Sequence, residues 1–150
     1  MNSQDSSLLR THVILLVEDN PGDVRLVMEA LSSATARHKI TTVGTGADAV
    51  AFLQRSGEYA DAVRPDLILL DLNLPKISGS EVLSLIKKDP RLKRIPVVVL
   101  TGSRSEEDIA RSYELHANCY VTKPLDLEKF IHIVKNIQEF WLSTAELPKE

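Results

Sequence analysis

The 150 residues predict one doubly wound α/β domain, a five-stranded parallel sheet with five helices. Three observations point there. Apolar runs at residues 12–17 (HVILLV), 66–70 (DLILL) and 95–100 (IPVVVL) are continuous rather than alternating, as in strands buried on both faces. Helical periodicity falls between these runs. The connections are short, so each strand returns to the sheet by a right-handed crossover.

The first run gives strand one. Asn20-Pro21 reads as an N-cap followed by proline at the first helical position, with Val24, Val27, Met28 and Leu31 at helical spacing. Residues 39–44 form a weaker second strand, and Ala47, Val50, Ala51 and Gln54 mark the second helix. The longest connection, 56–65, is expected to be a surface loop leading into the third strand. Val82, Leu83 and Ile86 make the third helix, which Asp89-Pro90 ends. After the fourth strand, Ser105 with Asp108 resembles a capping box that opens a helix over 109–115. Residues 118–122 supply the fifth strand, and the last helix opens near Asp126 and runs through Trp141. Residues 1–10 are expected to be a flexible N-terminus, 11–141 the domain, and 142–150 a C-terminal extension.

Composition excludes several functions. The formal net charge is −3 with no basic block, so neither nucleic acid nor an anionic membrane is an expected partner. A single cysteine permits no intramolecular disulfide and points to a reducing, cytoplasmic setting. No apolar run approaches the ~20 residues of a membrane span, and no secretory signal is visible. His12, His38, His116 and His132 lack metal-ligand spacing, and Cys119 reads as a buried, inert thiol. Gly44-Thr45-Gly46 follows the wrong strand for a dinucleotide loop.

In open α/β sheets the ligand site lies beyond the carboxyl ends of the strands. Those ends carry Glu18-Asp19, Asp71 with Asn73 two residues on, Thr101-Gly102-Ser103, and Lys123-Pro124. Alone, each is ordinary: a helix-dipole carboxylate, a turn former, a solvated lysine. Their joint position at strand ends is not. Three carboxylates brought together repel unless a cation joins them, and hard oxygen ligands suit Mg²⁺. A carboxylate beside that ion, with an ammonium and a hydroxyl opposite, can act as a nucleophile towards a phosphoryl group. Formation of an aspartyl phosphate is the expected chemistry.

LLVEDN, LILLDLNLP, VVVLTGS and YVTKP resemble, in order and spacing, the motifs of the receiver domain of two-component response regulators, over about residues 11–139. The resemblance implies the flavodoxin-like strand order 2-1-3-4-5. It also implies Asp71 as phosphoacceptor, and Mg²⁺ or Mn²⁺ held by Asp19, Asp71, the Asn73 carbonyl and, through water, Glu18. Thr101 and Lys123 would bind the phosphoryl group, Thr101 and Tyr120 would form the switch, and Asn73 and Ser103 would tune phosphate lifetime. Pro124 would be a cis-proline that aims the lysine, and Gly102 supplies the small residue the family requires beside the threonine. With little chain after the fifth helix, no output domain is expected. The phrases SYELHANCYVTK and EFWLSTAELP further resemble stand-alone regulators paired with phytochrome-type sensor histidine kinases.

Two rivals are weaker. A flavodoxin-like FMN electron carrier would need a neutral hydroxyl-and-glycine loop where Glu18-Asp19 stands. An aspartate-nucleophile phosphatase would want a second acid at Asn73 and a cap domain. In the last helix, Leu127, Phe130, Ile131, Val134, Ile137 and Trp141 share a stripe that Ile133 and Phe140 widen beyond the ~100° a core needs. The excess predicts a homodimer with Ile133, Ile137, Phe140 and Trp141 near its axis and residues 142–150 as its arm, a mode the resemblance also implies. The alternative is that residues 142–147 fold back over their own helix.

Overall fold

β1 (His12–Val17) lies inside the sheet, paired in parallel with β2 (His38–Val43) on one side and β3 (Leu67–Leu70) on the other. β4 (Val97–Thr101) and β5 (Cys119–Thr122) continue the sheet, giving the expected order 2-1-3-4-5. The computed structural model describes residues 11–32 and 37–149, and the expected flexible segment 1–10 lies outside them. Among the described residues the five α-helices are α1 (Pro21–Ser32), α2 (Gly46–Gln54), α3 (Gly79–Lys88), α4 (Glu106–Glu114) and α5 (Leu127–Gln138). None of the described helices is long and apolar enough to cross a membrane.

Alternation along β1 divides the core into two layers. Leu15 and Val17 face one cluster with Phe52 and Leu53 of α2 and Val82, Leu83 and Ile86 of α3. Ile14 and Leu16 face the other, with Val27 and Leu31 of α1 and Phe130 and Val134 of α5. Both faces of β1 and β3 are therefore dry, which is why their sequences read as unbroken apolar runs.

Polar side chains and prolines trim the strand ends. Pro96 has no N–H to give, so pairing of β4 starts at Val97, and the Pro96 carbonyl accepts from Ile68 instead. Asn118 lies outside β5 because its side-chain oxygen accepts from the Val97 N–H at 2.9 Å and from Lys87 Nζ at 3.1 Å. The connection 56–65 carries a short 3₁₀ turn, Gly57–Tyr59, whose Tyr59 ring packs edge-on against Phe52 at 5.6 Å. Gly57 has φ +58°, which glycine alone adopts without strain.

At the C-terminus, Asp126 caps α5 by accepting from the Lys129 N–H, as its sequence predicts. The helix does not stay α-helical to Trp141. Past Gln138 it widens into a π-helical stretch, Glu139–Thr144. That stretch turns Leu142 inward, where it is 6% exposed, and Leu147 packs against the same layer. This corrects the expectation for Ile137, which is only 8% exposed and belongs to the chain's own core. Ile133 and Trp141 are half-buried, and Phe140 remains 52% exposed. The tail thus folds back over part of the stripe, as the alternative reading anticipates.

Candidate functional site

The strand order reverses direction between β1 and β3, and the loops leaving their carboxyl ends meet there. Glu18 and Asp71 are buried and Asp19 is exposed, yet one carboxylate oxygen from each lies within 4.8 Å of the others. Local backbone fixes two of them. The Asn20 N–H donates to Glu18 Oε1 at 3.1 Å, and the Asn73 N–H donates to Asp71 Oδ1 at 3.2 Å.

Lys123 reaches across from the end of β5. Its Nζ donates to Glu18 Oε2 through a short contact, to Asp23 Oδ2 at 2.8 Å and to Asp71 Oδ2 at 3.4 Å. Burial alone would lower this ammonium's pKa, but the Asp23 and Glu18 hydrogen bonds and the Asp71 charge outweigh it and raise the value. Burial also pushes the Glu18 carboxyl up to about 7, with Asp71 adding to the rise and Lys123 opposing it. One ammonium does not balance these acids. The donor set is all hard oxygen, converging and short of positive charge, and so fits a divalent cation such as Mg²⁺ or Mn²⁺.

Thr101 ends β4 fully buried, and its carbonyl accepts from the Lys123 N–H at 2.7 Å, tying the ends of β4 and β5 together. Beyond it, Ser103 Oγ donates to Asp108 Oδ2 at 2.5 Å, and the Tyr120 hydroxyl donates to the Ser103 carbonyl at 2.9 Å. Tyr120 is thus linked through hydrogen bonds to the turn that follows Thr101. Burial raises the Tyr120 pKa, so its hydroxyl stays protonated and keeps that bond. Cys119 is half-buried, and burial raises its thiol as well, consistent with an inert residue.

One expectation changes. No peptide bond among the described residues is cis, so the Lys123–Pro124 bond is trans. Trans is the lower-energy form of an X–Pro bond by about 0.5–1 kcal/mol, and Lys123 reaches all three carboxylates from it. A Cβ on Gly102 would meet nothing within 4 Å, so the chain's own packing does not require glycine there.

Sequence reasoning misses Asp23 and Gly79. Asp23 stands in the first turn of α1, four positions after Asp19, and extending the strand-end rule by one helical turn would find it. Gly79 opens α3 directly against the backbone of Asp71 and Leu72, a contact with no local signature in sequence.

Comparison with known proteins agrees with this geometry. Residues 14–135 match the response regulator receiver domain family. The chain is 55% identical over 136 residues to the response regulator Rcp1 of Synechocystis, covering 91% of this chain and 92% of that one. Among solved structures it is similar to the phosphorylated cyanobacterial phytochrome response regulator RcpA, at 58% identity and TM-score 0.91 over 93% of this chain and 100% of RcpA. The Mn²⁺-bound form of Rcp1 gives 54% identity and TM-score 0.90, covering 92% and 99%.

Proposed function

The chain belongs to the response regulator receiver domain family, and we propose that Asp71 is its phosphoacceptor, charged by a phytochrome-type sensor histidine kinase. It is a signalling protein. Its chemistry is confined to phosphorylation and dephosphorylation of its own aspartate. What supports this most is the surroundings of Asp71: a buried carboxylate within the acidic trio, with the Lys123 ammonium 3.4 Å from its Oδ2.

Asp71 attacks phosphorus through one carboxylate oxygen, while the phosphorus–nitrogen bond of the donor phosphohistidine breaks and its electron pair leaves with the imidazole. Lys123 and the Thr101 hydroxyl then donate to phosphoryl oxygens, offsetting their charge. Glu18, Asp19, Asp71 and the Asn73 carbonyl are the residues that would hold Mg²⁺ or Mn²⁺, whose positive charge favours the same oxygens. In dephosphorylation, a separate reaction, water attacks phosphorus, the bond to the Asp71 oxygen breaks, and carboxylate and inorganic phosphate result. Asn73 and Ser103 flank this step and set its rate. An acidic loop after β1 repels the phosphate of FMN, so the flavodoxin-like alternative is set aside.

The test is incubation with a small acyl phosphate and Mg²⁺, followed by mass measurement. Wild type should gain one phosphoryl group and Asp71→Asn none; full labelling of the variant would refute the assignment. The phytochrome-type partner is supported by the likeness to RcpA and is tested by phosphotransfer from such a kinase in competition with unrelated ones. A cytoplasmic location follows from that partnership. We further propose a homodimer through Ile133, Phe140 and Trp141, without the tail as an arm, since Leu142 and Leu147 already pack on the chain's own core. The exposed Phe140, stacked edge-on against Trp141 at 5.2 Å, supports it.

A further inference from the structure

Lys123 has three N–H donors and three carboxylates around it, but those carboxylates are not equivalent. Glu18 and Asp71 belong to the converging trio that fits a divalent cation. Asp23 stands outside that trio, on the first turn of α1. An oxygen that ligates a cation attracts an ammonium less, and two positive centres on the same carboxylates repel. Lysine is a compact charge on a flexible four-carbon stem, so without another anchor it would be driven towards solvent as the cation binds. We propose that Asp23 is a positioning residue for Lys123, holding its ammonium beside Asp71 while Glu18 and Asp71 serve the cation.

Asp23 is built for a fixed role. Its N–H donates to the Asn20 side-chain oxygen at 3.0 Å, so the cap that starts α1 also sets where this carboxylate points from. The Lys123–Asp23 contact, at 2.8 Å, joins side chains that are 11% and 27% exposed. It is therefore sheltered compared with the exposed ion pairs that contribute little. The chain Asn20, Asp23, Lys123, Asp71 links the start of α1 to the phosphoacceptor through successive hydrogen bonds.

This inference rests on Asp71 being the phosphoacceptor, and a double-mutant cycle tests it separately. The variants are Asp23→Asn, Lys123→Gln, both together, and Asp23→Glu as the conservative replacement. Two quantities are read: Mn²⁺ affinity by electron paramagnetic resonance, and the rate of labelling by a small acyl phosphate. Asp23→Asn should leave Lys123 to compete with the cation for Glu18 and Asp71, lowering Mn²⁺ affinity and labelling rate each by about tenfold. In the Lys123→Gln background the same change should alter either by less than about twofold, and Asp23→Glu should recover most of both. Equal losses with and without the lysine would mean Asp23 acts only as a general negative charge, and no loss in either would mean it does nothing. Either result overturns the proposal. If Asp71→Asn were itself labelled, the phosphoacceptor assignment would fail instead, and that result is independent of Asp23.

Discussion

At the scale of single residues, Gly79 shows how tightly the site is built. A Cβ there would lie 2.2 Å from the Asp71 carbonyl oxygen and 2.6 Å from the Leu72 Cα. Both are backbone atoms, so nothing can rotate away. The close approach lets the Gly79 N–H bond the Leu72 carbonyl at 3.0 Å and seats α3 against the strand end that presents Asp71. Gly79→Ala should therefore destabilise by about 1–3 kcal/mol in denaturant titration, the usual cost of overpacking. It should slow Asp71 labelling as well. Gly102→Ala, with open space around the new methyl, should do neither. Glu18 gives a pH signature. The unfolded carboxyl releases its proton near 4.5 and the folded one near 7, so between these values the unfolded state binds fewer protons. Stability of the cation-free protein should then fall as pH rises through that window, and Glu18→Gln should remove this part of the slope. A thermal melting series from pH 4.5 to 7.5 on both proteins measures it; parallel curves would contradict the shift.

Elements were more legible in sequence than their ends. The strands and helices stand where buried runs and helical spacing put them, because packing on both faces of the sheet demands those patterns. The boundaries depended on individual side chains: the missing N–H of Pro96, or the Asn118 oxygen that takes the Val97 N–H. The strand-end residues were legible for a topological reason, since parallel strands deliver all their carboxyl ends to one edge. Asp23 was not, because it is one helical turn further along. The turn from β4 to α4 is the element with most to say about signalling. Ser105 caps α4 through the Asp108 N–H, Asp108 accepts from Ser103, and the Ser103 carbonyl accepts from Tyr120. Movement of Thr101 towards a phosphoryl group would therefore be felt at Tyr120 through this turn. A phosphoryl group shifts the equilibrium only through contacts it makes better in one state. Thr101→Ala should accept phosphate and yet show a smaller change in the Tyr120 resonances than wild type. A full wild-type shift in the labelled variant would disprove the relay.

For the whole molecule, sequence spacing alone left the strand order open; the receiver resemblance supplied it, and the parallel ladders bear it out. The outer face of α5 departs from the sequence expectation, because the helical spacing continues unbroken through Trp141 while the backbone does not. The π-helical widening after Gln138 rotates the following residues, so that Leu142 rather than Trp141 returns to the core. What remains outside is smaller than the full stripe: Phe140 exposed, with Ile133 and Trp141 half-covered. An exposed aromatic flanked by half-buried apolar side chains has the composition of an interface centre, where Trp and other aromatics anchor binding. Two-fold pairing would bring this one patch onto its own copy, so a single substitution removes two contacts per dimer. Phe140→Asp is the informative change, because its side chain is exposed and a charge there should leave the monomer folded. Sedimentation at micromolar concentration should show a wild-type dimer and a monomeric variant, with unchanged far-ultraviolet circular dichroism in the variant. A wild type that stays monomeric with and without phosphodonor would rule the dimer out, and an intact dimer in Phe140→Asp would put its interface on another face.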